Sequence, residues 1–197
     1  APTTPHDAKG ALIASIRDNN PVIFVEHRML YKNAGYVPSE SYEIPFGKGR
    51  VLKEGKDITI VGVSHTVEDA LRASDLLKVV GVSAEVIDPI SLSPLDYDLI
   101  RNSANKTKRL LVIDNGWLTC GFASEIITDI AINCKNISCQ RIGFAETPCP
   151  TTPSLEKDFY PNPRSIAIEA NNMCDGDSKW NPPEVTQDEI VSFKGPF

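Results

Sequence analysis

Apolar residues recur at two periods along this chain, and the changes of period mark its elements. In DAKGALIASIR, Ala8, Leu12, Ile13 and Ile16 fall at helical spacing. Thr3, Thr4 and Pro5 ahead of them supply cap and first-turn chemistry. Asp18-Asn19-Asn20-Pro21 stops the helix, because Pro21 keeps Asn20 out of the helical region. PVIFVEH then reads as a short buried strand. From Leu30 to Pro45 the periodicity vanishes among Asn33, Gly35, Pro38, Ser39 and Ser41, the composition of a linker.

Beyond Phe46 the pattern alternates. GKGRVLKEG suggests an edge strand and DITIVGVS a buried parallel strand rich in β-branched residues. From Ser64 to Val80 an amphipathic helix is expected, with Val67, Ala70, Leu71, Ser74, Leu77 and Lys78 along one stripe, a cap at Ser64 or Thr66, and a stop at Gly81. SAEVIDP is the next strand and SPLDYDLIRNSA a short helix. RLLVIDNG follows as a strand, then FASEIITDIAINC as a helix with Ile126, Ile127, Ile130 and Ala131 facing in. SCQRIGFAE closes the series as a strand.

Such alternation predicts an α/β fold, a mostly parallel sheet with helices on both faces. The division is residues 1–29 as a helix and strand from an incomplete domain, 30–45 as linker, 46–170 as the α/β domain and 171–197 as an extended polar tail anchored at most by Trp180 and Phe193.

Composition narrows the chemistry. With 20 Lys plus Arg against 26 Asp plus Glu, net charge −6 and both signs dispersed, there is no footprint for nucleic acid or an anionic membrane. No run approaches the roughly 20 apolar residues that span a bilayer. APTTPHDAKG lacks the basic and apolar regions of a secretory signal. Five cysteines, Cys120, Cys134, Cys139, Cys149 and Cys174, contain no CxxC pair, which points away from a zinc site or disulfide framework and toward packing in a reducing compartment. Cys120, beside Gly121 at a helix start, is the one position where a dipole could favour a thiolate.

Several blocks in order, DAKGALIASIRDNNPVIFVEHRMLY, IPFGKGRVLKEGKDITIVGVS, AEVIDPISLSPLD and ETPCPTTPSLEKDFYP, resemble the β subunit of pyruvate, branched-chain 2-oxo acid and acetoin dehydrogenases over about residues 1–170. The resemblance implies a transketolase-type C-terminal domain preceded by the end of a pyrimidine-binding domain. It implies a 2-oxo acid dehydrogenase, with pyruvate the foremost substrate, that acylates a lipoyl partner. Thiamine diphosphate with magnesium belongs to the assembled enzyme. The implied partners are an α subunit and a second β subunit in a heterotetramer, and the lipoyl acyltransferase core. The implied location is cytoplasmic in a bacterium and the mitochondrial matrix or plastid in a eukaryote. Other readings are a stand-alone scaffold domain of transketolase C-terminal type and part of a sugar-condensing transketolase.

In that family the proton-shuttling His and the Glu that activates the cofactor's aminopyrimidine lie upstream of APTTPHDAKG, so no catalytic or cofactor-binding residue is assigned in this chain, which alone is expected to be inactive. The turn Ser15-Ile16-Arg17-Asp18-Asn19-Asn20 resembles a potassium-binding loop, with Ser15, Ile16, Asp18 and Asn20 as the matching positions. The bland alternative is an ordinary helix end whose carbonyls meet water.

His27 follows Glu26, but adjacent strand residues point to opposite faces, so the pair shares no site by proximity alone. His65 reads as a residue flanking a helix and His6 as solvated. Asp57, Asp88, Asp96, Asp98 and Asp114 read as caps and solvated turns. Gly116, Trp117 and Gly121 in NGWLTCGFASEI match no phosphate-binding fingerprint and read as structural.

Overall fold

In the computed structural model, which describes residues 1–183, two runs of β-branched and aliphatic residues form the middle of a sheet. These are β2 (Ile58–Val61) and β4 (Arg109–Ile113), paired in parallel. On one side β2 pairs in parallel with β3 (Ala84–Asp88), and on the other β4 pairs in parallel with β5 (Ser138–Ile142). The edge strand β1 (Arg50–Lys53) runs antiparallel to β3, giving the order β1-β3-β2-β4-β5.

The period of two along each strand sends alternate residues to opposite faces. Ile58, Ile60, Val86, Leu111 and Ile113 meet α2 (His65–Val79) and α6 (Pro163–Met173) through Leu71, Leu77, Ile166 and Ala170. Val61, Ile87, Leu110 and Val112 meet α3 (Tyr97–Thr107) and α4 (Phe122–Asn133) through Ile100, Ala104, Ile126 and Ile130. Each buried Ile or Leu contributes about 1.5–3 kcal/mol, so the two clusters supply the bulk of the driving force. A shorter helix, α5 (Pro153–Phe159), leads into α6.

The second face carries one polar inclusion. Thr59 hydrogen-bonds Ser103 and Thr107, Ser103 donates to Glu85, and Lys106 reaches the same carboxylate. Pairing each member is what makes its burial tolerable.

The first helix, α1 (Pro5–Arg17), is capped at Thr4, whose hydroxyl accepts the Asp7 N–H at 3.1 Å. Its buried face differs from the expected one. Gly10, Ala11 and Ala14 face inward, whereas Leu12 is 45% and Ile16 75% exposed. The reason is what lies opposite: Tyr42 and Ile44 cross so close that a Cβ at Gly10 would stand 2.7 Å from the Tyr42 ring. Asp7 also projects inward, ion-paired to Arg50 on β1, which reaches Asp88 on β3 at 3.4 Å. Asp88 is thus a fully buried member of an ion cluster rather than a solvated turn residue.

Other expectations need correcting. PVIFVEH is extended but joins no strand among the described residues, and Ile23 is 90% exposed, because no sheet edge stands beside it. Lys78 and Ala131 point to solvent, while Ala123 takes the inward place on α4. The α2 start is tied down by Thr66, which accepts from Val63 N–H, and not by the Ser64 side chain. α6 runs across the expected boundary at 170, and Trp180 packs on the first core cluster. Phe193 lies outside the described residues.

Glycine inside a helix ordinarily costs about 0.5–1 kcal/mol relative to Ala, but Gly10→Ala should destabilise by about 1–3 kcal/mol through overpacking against Tyr42 and Ile44. Ile16→Ala should stay within about 0.5 kcal/mol. Urea unfolding midpoints of the two variants check the orientation of α1, and the reverse order would contradict it.

Candidate functional site

From β2 the chain crosses through α2 toward β3 on one side, while from β4 it crosses through α4 toward β5 on the other. The crevice outside the carboxyl ends of β2 and β4 is therefore the topological switch point, where open α/β sheets bind ligands. Thr66 knits its floor, donating toward the carbonyls of Val63 beyond β2 and Ile113 at the end of β4.

Ser64 stands at the turn from β2 into α2 with φ 52° and ψ −119°. A strained residue between a central strand and a helix is the geometry of a nucleophile elbow. The chemistry is not assembled, however: Ser64 Oγ bonds the Pro2 carbonyl at 3.4 Å, and no imidazole nitrogen among the described residues bonds it.

Two of the three histidines converge on this crevice from distant parts of the chain. His65 opens α2 and His27 caps the short 3-10 helix Arg28–Lys32, and their rings stack at 4.8 Å with an interplanar angle of 19°. His27 Nδ1 accepts the Met29 N–H at 3.3 Å, so the neutral ring carries its proton on Nε2. Nε2 faces the Asn115 side-chain amide at 3.2 Å, and the network requires that amide to present its oxygen. Asn33 reaches Glu68 on α2, and Glu26 turns away to accept from the Tyr31 hydroxyl at 3.1 Å. Glu26 and His27 thus take separate partners, although the segment is not the strand whose alternation was expected to part them. His6 stacks on Tyr42 with its side chain 43% exposed.

Under the rings lies a buried row on α2. Asp69 stands 3.5 Å from His65 Nδ1 and 3.8 Å from Arg72, which is 3.7 Å from Glu68. Burial dominates the titration of this row. It pushes the His65 imidazole down to about 4, with His27 and Arg72 adding to the effect, and lowers His27 as well. It pushes the Asp69 carboxyl up to about 7 against the pull of Arg72, and raises Glu68. Near pH 6 the proton therefore sits on the Asp69 carboxyl and the His65 imidazole is neutral.

The expected cation loop sits at the other end of α1. Ser15 Oγ donates to the Ala11 carbonyl at 2.7 Å, and Asp18 N–H closes the helix on Ala14. Asp18 Oδ1 accepts from the Asn20 backbone and amide at 2.7 and 2.9 Å, while Ile16 exposes its side chain. Ser15, Asp18 and Asn20 border a cleft of about 510 Å³ running past Ile23 and Phe46.

The remaining candidates resolve into structure. Asp96 caps α3 and Asp114 caps α4 through Phe122 N–H, so that helix start is already filled. Asp57 accepts from Ser83 N–H. Gly121 is required sterically, since a Cβ there would lie 2.0 Å from the Trp117 carbonyl. Cys134 and Cys139 pack on the second core cluster, and Cys120 is an exposed free thiol. No group of three or more His, Cys, Asp or Glu among the described residues is arranged to hold a metal ion, and no helix among them is long and apolar enough to cross a membrane.

Residues 47–166 match the family described as Transketolase, C-terminal domain. The chain belongs to that family. Its curated relatives include the acetoin:2,6-dichlorophenolindophenol oxidoreductase subunit beta of Bacillus subtilis, 42% identical over 84% of this chain and 49% of the relative. The pyruvate dehydrogenase E1 component subunit beta of the same organism is 37% identical over 88% of this chain and 54% of the relative. The mitochondrial counterpart from Pisum sativum is also 37% identical, over 88% and 50%. The chain spans about half the length of these relatives, and the expected kinship with dehydrogenase β subunits holds. Among solved structures, a split-gene transketolase described as an inactive beta4 tetramer superposes with TM-score 0.63 at 26% identity, covering 68% of this chain and 44% of that one.

The sequence reading missed the switch-point cluster, because His27 and Asn115 lie 88 residues apart. One signal was present: the apolar run into Gly62-Val63-Ser64 followed at once by an amphipathic helix marks a strand-to-helix turn at a sheet's carboxyl end.

Asp69 has a folded pKa above its unfolded value of about 3.9, so its contribution is fully present below that value and fades as pH rises through about 7. Asp69→Asn should therefore gain stability relative to the parent steadily from pH 4 to 8. Paired urea titrations at each pH measure the difference, and a constant or opposite trend would refute the assignment.

Proposed function

We propose that this chain is the C-terminal portion of the β subunit of a thiamine-diphosphate-dependent dehydrogenase that oxidatively decarboxylates a 2-oxo acid, pyruvate first, and acylates a lipoyl partner. The observation that supports this reading is continuous similarity to dehydrogenase β subunits over 84–89% of the chain. The work of these residues is then assembly: with an α subunit and a second β subunit in a heterotetramer, and with a lipoyl acyltransferase core. Val22, Ile23 and Val25, apolar and solvent-facing, are suited to such contacts. The location follows the relatives, cytoplasmic in a bacterium and mitochondrial or plastid otherwise.

The side chains present do not fit the diphosphate and its magnesium. The strand-to-helix turn after β4 is filled by Asp114, and the buried carboxylates of α2 already face Arg72 and His65. No step is therefore assigned to thiamine diphosphate here. Ser15, Ile16, Asp18 and Asn20 do fit a potassium ion. The helix closes at Asp18, which leaves the last carbonyls of α1 as oxygen donors for a hard cation.

A sugar-condensing transketolase is the second reading, favoured by the split-gene transketolase neighbour. The full protein carrying these residues, purified with its α subunit, should reduce dichlorophenolindophenol when given thiamine diphosphate, magnesium and pyruvate, acetoin or a branched-chain 2-oxo acid. The 197-residue polypeptide alone should not. Ketol transfer between sugar phosphates without dye reduction would overturn the first reading in favour of the second.

For the cation loop, potassium at about ten times its Kd should stabilise the chain by about 1.4 kcal/mol, or a few degrees in Tm for a chain of this size. Sodium at equal ionic strength should not match it, and Asp18→Ala should erase the difference. Identical melting curves in the two salts would remove the site.

A further inference from the structure

The switch-point crevice is covered by the chain itself. Residues 26–33 lie across it, with His27 on His65 and Asn115, and Asn33 on Glu68. Beneath them Ser64 holds a backbone conformation that non-glycine residues rarely adopt. A cleft of about 180 Å³ remains between this cover and the start of α1, lined by Thr4, Ala8, His27, Leu30 and Asn33.

The joints of this cover depend on neutral imidazoles. Nδ1 of His27 must be bare to accept the Met29 N–H, so a proton there removes the cap of the 3-10 helix. Two rings stacked at 4.8 Å also repel once both are charged, and the His65 side of the contact is largely buried. We propose that His27 and His65 form an acid-sensitive clasp: neutral, it holds residues 26–33 over the switch point, and protonated, it lifts that segment and opens the crevice.

The charged groups around the clasp reinforce it. Arg28 adjoins His27 in the chain, and Arg72 on α2 opposes a charge on His65. Asp69 and Glu68 on α2 could offset an imidazolium, but burial raises both, so they take protons early in acidification. Glu26 is engaged with Tyr31, and Asp114, next to Asn115, is turned to the start of α4. The sign is consistent. The imidazoles' folded pKa values lie below the unfolded 6.5, so their contribution is present above that pH and is lost as pH falls toward 4. Asp69 changes in the opposite sense, which keeps α2 in place while its cover loosens.

The clasp stands on contacts within this chain and does not rest on the dehydrogenase reading. Amide hydrogen exchange of the full 197-residue chain, corrected for intrinsic rates, tests it at pH 7.5 and 4.0. Protection at Met29, Leu30 and Asn33 should fall at least about twofold at pH 4.0, where the His65 imidazole is half protonated. Protection in α2 and β2 should persist. His27→Asn keeps an acceptor for Met29 N–H without a titrating ring, and should abolish the pH effect. His65→Phe keeps a stacked ring and should move its midpoint upward. Unchanged protection in the parent, a loss that survives in His27→Asn, or α2 and β2 opening in step with 26–33 would each overturn the clasp.

Discussion

Parallel pairing of β2 with both β3 and β4 is the constraint from which the rest follows. A strand flanked by parallel neighbours needs cover on both faces, because each connection must return over the sheet. The chain meets this with α2 and α6 on one face and α3 and α4 on the other. The same connections leave β2 and β4 in opposite directions, which opens a crevice at their carboxyl ends. The site thus arises from the sheet's connectivity rather than from any local motif.

What fills that crevice explains the unusual electrostatics. Charged side chains are seldom buried unless paired, yet Glu68, Asp69 and Arg72 are all buried on one helix face. The arrangement lowers its own cost by neutralisation: Asp69 near 7 and His65 near 4 place a proton where the desolvation penalty is least. The cluster joining Asp7, Arg50 and Asp88 works differently, with one guanidinium serving two carboxylates from α1 and β3. It fixes the first helix against the sheet edge, and removal of Arg50 would strip two buried carboxylates of their shared guanidinium.

Legibility in the sequence divides along the same line. The strands Ile58–Val61, Ala84–Asp88 and Arg109–Ile113 were readable because each is a short β-branched run between turn signals, and their burial is decided by their own composition. The face of α1 was not, because its inward side is Gly10, Ala11 and Ala14. Close approach by Tyr42 selects small residues, and periodicity scores those as weak. The segment Pro21–His27 has strand composition without a strand's neighbour, so propensity alone misjudged it. α6 was missed because its stripe of Ile166, Ala167 and Ala170 is narrow and follows a Pro-rich loop. Ser15, Ile16, Asp18 and Asn20 came from family resemblance, since a turn of backbone carbonyls has no side-chain signature.

The switch-point cluster was illegible for a further reason. Each of its members reads locally as something ordinary: His65 as a helix flank, Asn115 as a turn residue, Asp69 as a solvated helical carboxylate. Their character comes from mutual burial, which the order of strands imposes and no window of sequence contains. Family membership does not supply it either, because it names the fold and leaves the protonation state of a stacked imidazole pair to the groups packed around it. Those groups are Arg72, Asp69 and Asn115, contributed by α2 and by the turn after β4. The connectivity that creates the crevice is therefore also what places cation, carboxyl and amide around the two rings and buries the pair, and burial is what lowers both imidazoles.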